Sequence, residues 1–183
     1  MSRASAKSDR PKTGKPTRHA SAGAPADVTG SVAPFRIAAD GAWFHNNGVI
    51  ARPEMVKLFA KALRRERDGY ALVTPYERHA VMVEDAPFVV MTVRSEGDGR
   101  DRSLTFVTNI DAEAMAGPDH PIVVRTGQAG DPRPYLALGD GLEARIGRNV
   151  FFELAALAEP GPDGKLGVWS GGAFFPLDGR ARP

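Results

Sequence analysis

Glu77 and His79 lie two residues apart, so on an extended strand they share a face. A carboxylate beside an imidazole can work as a general acid–base pair, although the same spacing also makes an ordinary surface pair. The other histidines add nothing to it. His19 belongs to the N-terminal stretch, His120 to a loop, and His45 has no ligand-like spacing to His79, so no metal site is expected. Ser170 stands in Val168-Trp169-Ser170-Gly171-Gly172, with Val168 where a nucleophile elbow needs its first glycine. Gly164-Lys165 is followed by Leu166, which fails the phosphate-loop pattern. No G-x-G-x-x-G opens a helix after a strand, which disfavours a dinucleotide fold. The chain has no cysteine, so thiolate metal sites, disulfides and cysteine nucleophiles are excluded. No cofactor is expected, and catalysis is the weakest of the functional readings.

Binding is better represented. Arg52 and Arg148 each stand ahead of an expected helix, where free N–H donors and a guanidinium fork suit phosphate or carboxylate. Each is equally the kind of arginine that pairs with an acid of its own half. Thr74, Glu77, Arg78, Thr108, Asn109, Tyr135, Trp169 and Ser170 complete the candidate set. Hydroxyl and amide groups would orient a ligand, and Tyr135 or Trp169 would stack on a base. The competing assignment makes both aromatics core residues and Thr108-Asn109 a strand-end turn.

These residues need elements to position them. Phe35 to Ala38 and Trp43 to His45 alternate as strands, and Asn46-Asn47-Gly48 signals a hairpin. Pro53 and Glu54 open a helix whose apolar face is Val56, Phe59, Ala60 and Leu63; its basic end runs through Arg64-Arg65-Glu66-Arg67 to a stop at Asp68-Gly69. Strands are expected at 70–74, 79–83, 87–93, 104–110 and 122–124, with 111–120 and 127–134 as loops. A hairpin follows across Gly139-Asp140-Gly141, then a second helix over about Asn149 to Ala158, and a last hairpin over Gly171-Gly172. Short strands with two irregularly placed helices indicate an α+β fold with largely antiparallel pairing.

Residues 50–75 and 146–171 echo each other without a gap: Ile50-Ala51-Arg52 meets Ile146-Gly147-Arg148, and Leu72-Val73-Thr74 meets Val168-Trp169-Ser170. The echo makes Arg52 and Arg148 pseudo-equivalent, and likewise Thr74 and Ser170, and suggests duplication.

The chain has 183 residues, 42% hydrophobic and 25% charged, enough for a real core. Its net charge of +2 is unevenly placed. Residues 1–27 hold six basic residues and two acids, leaving 18 basic and 20 acidic residues in the rest. The slightly acidic remainder is a poor phosphate-backbone binder, so no nucleic-acid partner is expected. The stretch 1–31 is rich in Ser, Pro, Gly, Ala and basic residues and reads as a disordered basic tail, or at most a weak tether to an acidic partner. It has no apolar core of a secretory signal, and no apolar run approaches the roughly 20 residues that span a bilayer. A cytoplasmic protein without a membrane partner is the expectation.

Asp40-Gly41-Ala42-Trp43-Phe44, Ile50-Ala51-Arg52-Pro53, Leu72-Val73-Thr74-Pro75, Val83-Glu84-Asp85-Ala86-Pro87-Phe88, Phe106-Val107-Thr108-Asn109, Pro132-Arg133-Pro134-Tyr135, Gly141-Leu142-Glu143-Ala144 and Gly167-Val168-Trp169-Ser170-Gly171-Gly172 occur in this order. Together they resemble a bacterial domain of unknown function (DUF), family 1285, over residues 34–178. The resemblance implies a duplicated core, a C-terminal half superficially like a pleckstrin-homology domain, a site between the halves suited to a nucleotide-like ligand, and a role in signal transduction. Asn149 departs from the proline expected at the second helix start.

The resulting expectation is two related α+β units, residues 32–82 and 83–183, behind the tail. They would form a non-enzymatic sensory protein holding a small anionic, nucleotide-like molecule between its halves. The alternative is a protein-interaction module that uses strand edges or the Trp169 hairpin.

Overall fold

Alternation of apolar and polar residues builds most of this chain. The computed structural model describes residues 33–127 and 129–178; the reading of residues 1–31 as a disordered tail lies outside them. In chain order the elements are β1 (Phe35–Ile37), β2 (Trp43–His45), β3 (Gly48–Val49), α1 (Pro53–Ala62), β4 (Leu63–Glu66), β5 (Gly69–Val73) and β6 (Arg78–Val83). Then follow β7 (Phe88–Glu96), a 3₁₀ turn (Gly99–Asp101), β8 (Ser103–Thr108), β9 (Glu113–Met115), β10 (Ile122–Thr126), β11 (Pro132–Gly139) and β12 (Leu142–Ile146). Last come α2 (Arg148–Ala156), β13 (Glu159–Pro160), β14 (Leu166–Ser170) and β15 (Ala173–Pro176).

Two six-stranded sheets result, ordered β3-β2-β1-β6-β5-β4 and β10-β11-β12-β7-β8-β9. Read from its other edge, the second repeats the first with six added to every strand number. Each sheet is two antiparallel meanders joined by one parallel pair, β1–β6 or β7–β12. The fold is α+β with duplicated units. The helices do not follow this repeat: α1 lies between the third and fourth strands of its sheet, and α2 follows the sixth. The sequence echo instead aligns α1-β4-β5 with α2-β13-β14, a match out of step with the strand order.

Several expectations are corrected. The first helix ends at Ala62, and Leu63–Glu66 is an edge strand paired with β5, so Arg67-Asp68 is a hairpin turn and not a helix stop. Leu63 is fully buried as the first residue of this strand, so its apolar character at the i+7 position from Val56 carried no information on where the helix ends. Arg64 donates to the carbonyls of Lys61 and Leu63 at 2.8 and 2.7 Å, satisfying the helix end where a cation suits the dipole. The expected loops at 111–120 and 127–134 contain β9 and the start of β11. The second helix starts one residue before Asn149, with Gly147 at its N-cap and Arg148 as its first residue, and ends at Ala156. In the first hairpin both asparagines, Asn46 and Asn47, take positive φ, at 47° and 67°, and Gly48 is already in the strand. Asp140-Gly141 and Gly171-Gly172 turn the same way, the type I′ geometry that matches strand twist.

One apolar core runs through both halves, from Ile37, Trp43 and Leu63 to Leu104, Phe106, Leu136 and Leu154. α2 and the small sheet β13-β14-β15 supply Leu154, Val168 and Phe175 to it.

Candidate functional site

Where β6 and β12 end, the chain leaves charged and aromatic residues around one depression. It is a cleft of about 660 Å³ lined by Ala39, Glu84, Asp85, Asp131, Pro132, Arg133, Pro134, Arg145, Ile146, Arg148, Phe151 and Phe152. That volume is within the usual range for small-molecule sites. Ala39 and the segment after β6 form one wall; β11, β12 and the start of α2 form the other.

The acids of the cleft are committed. Glu84 pairs with Arg36 at 2.5 Å and accepts the Ala39 amide at 3.0 Å. Asp131 pairs with Arg133 at 3.2 Å. Asp85 accepts the Tyr135 hydroxyl at 2.6 Å and lies 3.5 Å from Arg145. Burial first, and then the bond to Asp85, holds the Tyr135 hydroxyl above its ordinary pKa, so it stays a donor. Arg148 differs from the other two arginines. Among the described residues it has no carboxylate partner, and its guanidinium lies over the Phe152 ring, 5.4 Å from the centroid. α2 begins here with no acid in its first turn and no side-chain cap. Cations, an uncapped helix start and exposed phenyl surface suit a small anion carrying a planar or apolar group.

Of the ten sequence candidates, Arg148 alone lines this cleft, with Tyr135 behind it through Asp85. Arg52 is exposed at the N-cap of α1. Thr74 closes its own turn, accepting the Glu77 amide at 3.0 Å. Glu77 and His79 do pair, at 3.0 Å, but on the surface and outside the clefts described. Arg78 grips Glu66 with two donors, which holds that carboxyl below its usual range. Thr108 is buried and bonds Ala112. Asn109 accepts the Val89 amide at 3.1 Å and donates to Gly41 at 3.3 Å, tying the two sheets together. Ser170 is fully buried, accepting from Leu104 and donating to Ala116. Thr74 and Ser170, pseudo-equivalent in sequence, therefore do different work. Trp169 lines a separate, shallow depression of about 390 Å³ beneath Arg100, whose guanidinium is 4.8 Å from its ring. The reading in sequence missed Asp85, Arg133, Arg145 and the Phe151-Phe152 pair. The advance signals were the place of Asp85 and Arg133 in the Val83–Phe88 and Pro132–Tyr135 runs and of Phe151 and Phe152 within the expected second helix; Arg145, inside β12, had none.

Comparison with known proteins bears on this arrangement. The model described as "Domain of unknown function (DUF1285), N-terminal domain" matches residues 25–86, and that described as "Protein of unknown function (DUF1285), C-terminal domain" matches residues 87–177. A crystal structure of a DUF1285 family protein from Silicibacter pomeroyi DSS-3 is 46% identical over 79% of each chain, with a TM-score of 0.75. The chain belongs to the DUF1285 family. A second DUF1285 structure, from Shewanella baltica OS155, is 27% identical over 67% of this chain and 90% of its own, with a TM-score of 0.53. No curated protein matches the chain. The boundary between the two DUF1285 models falls between Ala86 and Pro87, in the segment that forms one wall of the cleft. Among the described residues no helix is long and apolar enough to cross a membrane.

Proposed function

We propose that this chain is a ligand-binding protein of the sensory kind, taking a small anionic, nucleotide-like molecule into the cleft between its two sheets. The observation that carries the reading is Arg148, a cation without a carboxylate partner at the mouth of a cleft whose acids are already engaged. Phe151 and Phe152 offer the surface for a planar group, and Arg133 and Arg145 add positive potential nearby. Filling the cleft would change how the two halves pack, which is how such a protein signals.

Thermal unfolding of the chain against nucleotides, cyclic nucleotides, coenzymes and simple anions tests this. A ligand at about 100 times its Kd adds roughly 2.7 kcal/mol, a shift of several degrees. Arg148→Ala should weaken binding about tenfold or more, the loss of a charge-assisted contact. Arg52→Ala, outside the cleft, is the control and should leave binding unchanged. An affinity unaltered in Arg148→Ala overturns the role given to Arg148.

A second reading draws on Trp169. Its ring is half-buried under Arg100 and lies 5.2 Å from the ring of its cross-strand partner Phe174, an aromatic patch suited to a protein partner. Absence of any small-molecule shift, with a partner whose binding Trp169→Ala abolishes, favours it.

A further inference from the structure

Asp85 stands in the short segment that joins the two six-stranded sheets, and the second sheet holds it by two unequal contacts. Tyr135 on β11 and Arg145 on β12 are direct cross-strand partners, so hydroxyl and guanidinium reach this one carboxylate side by side. The hydroxyl bond is short, 2.6 Å. The Arg145 contact is looser: Nε is 3.5 Å from Asp85 and forms no hydrogen bond, although solvent does not reach it. A guanidinium carries five N–H donors in a fixed fork, and a buried donor without an acceptor costs free energy. Arg145 makes no other ion pair or side-chain hydrogen bond among the described residues, yet it lines the same cleft as Arg148. An oxyanion entering there meets a guanidinium that its present partner does not satisfy.

We propose that Asp85 and an oxyanion in the cleft compete for Arg145, so that occupancy releases the segment joining the sheets from its arginine anchor. The inference rests on reading the cleft as an anion site, and it makes Asp85 the positioning residue through which occupancy reaches the packing of the halves. Phosphate and carboxylate share the required chemistry of two acceptor oxygens on one planar fork. Binding in this arrangement is weaker than the site allows by whatever Asp85 takes back, and linkage makes the two effects reciprocal.

The test titrates the full chain with inorganic phosphate and, in a second arm, acetate, following amide chemical shifts. Asp85→Asn removes the competing charge while keeping the shape, and should tighten oxyanion binding several-fold. Tyr135→Phe frees Asp85 from its strongest donor, strengthens its hold on Arg145, and should weaken binding. Opposite signs are the signature, because a purely structural role would move both variants the same way. In the unaltered chain, saturating oxyanion should speed hydrogen exchange at the Ala86 amide; this measurement stands even where a variant fails to fold. Binding that Arg148→Ala abolishes and Asp85→Asn leaves unchanged overturns the competition while the anion site survives. No binding of either anion by the chain or by Asp85→Asn overturns both. Tighter binding in the phosphate arm alone, or in the acetate arm alone, upholds the competition and names the oxyanion.

Discussion

Several of the side chains singled out by chemistry in the sequence hold backbone in the structure. Ser170 is the plainest case: its hydroxyl accepts the Leu104 amide at 2.9 Å and donates to the Ala116 carbonyl at 2.7 Å, all of it buried. Ser170→Ala leaves both groups unpaired and should cost about 1–3 kcal/mol, read as a lower urea midpoint at unchanged slope. Tyr135 gives a pH signature. Burial and the Asp85 bond raise its pKa, so the native state keeps a proton that the unfolded chain gives up. The associated stability is whole below the ordinary tyrosine range and falls as pH rises through it. Tyr135→Phe should flatten that alkaline decline in unfolding midpoint without removing it, because burial also raises Tyr70. An undiminished decline in the variant would place the alkaline sensitivity elsewhere.

Elements are decided by short-range chemistry, with exceptions where a neighbour supplies a partner. The β2–β3 turn asks for positive φ at two successive residues and uses asparagine at both. Asn47→Gly relieves the second at little cost and should raise stability by about 0.5–1 kcal/mol, seen in thermal unfolding; a decrease would mean that the Asn47 side chain carries weight in the turn. The boundary between α1 and β4 shows the opposite dependence. Leu63-Arg64-Arg65-Glu66 has helix-forming residues, but β5 presents an unpaired edge and Leu63 enters the core as the first residue of the strand. Charged residues are well tolerated on such an edge strand, where they also discourage pairing with other chains.

At the scale of the molecule, the two sheets share one apolar core and are tied by Asn109 to Gly41, Lys57 to Asp111 at 2.8 Å, and Tyr135 to Asp85. Such coupling should make residues of both halves unfold together. The two tryptophans report separately, Trp43 from the first sheet and Trp169 from the last hairpin. Urea transitions of Trp43→Phe and Trp169→Phe, each scaled to its own circular dichroism, should coincide with that signal. A fluorescence transition that parts from it would show the halves unfolding independently.

The α+β class, the hairpins at Asn46-Asn47, Asp140-Gly141 and Gly171-Gly172, and the start of the first helix were legible in the sequence, because alternation, positive-φ turn residues and proline at a first helical turn are local properties. Gly171-Gly172 and Asp140-Gly141 needed nothing distant to define their turns. The matching strand orders of the two sheets were not legible, since a parallel pair such as β7–β12 joins residues more than 50 positions apart by backbone bonds that carry no side-chain signature. The cleft was hidden for the same reason. Arg148 stood out by type and position, but Asp85, Arg133 and Arg145 acquire meaning only from what lies across from them. Trp169, Ser170 and Thr108, chemically eloquent in sequence, are largely taken up by packing and backbone bonds. Local chemistry set the elements, and only the long-range pairing of two sheets determined which charges meet.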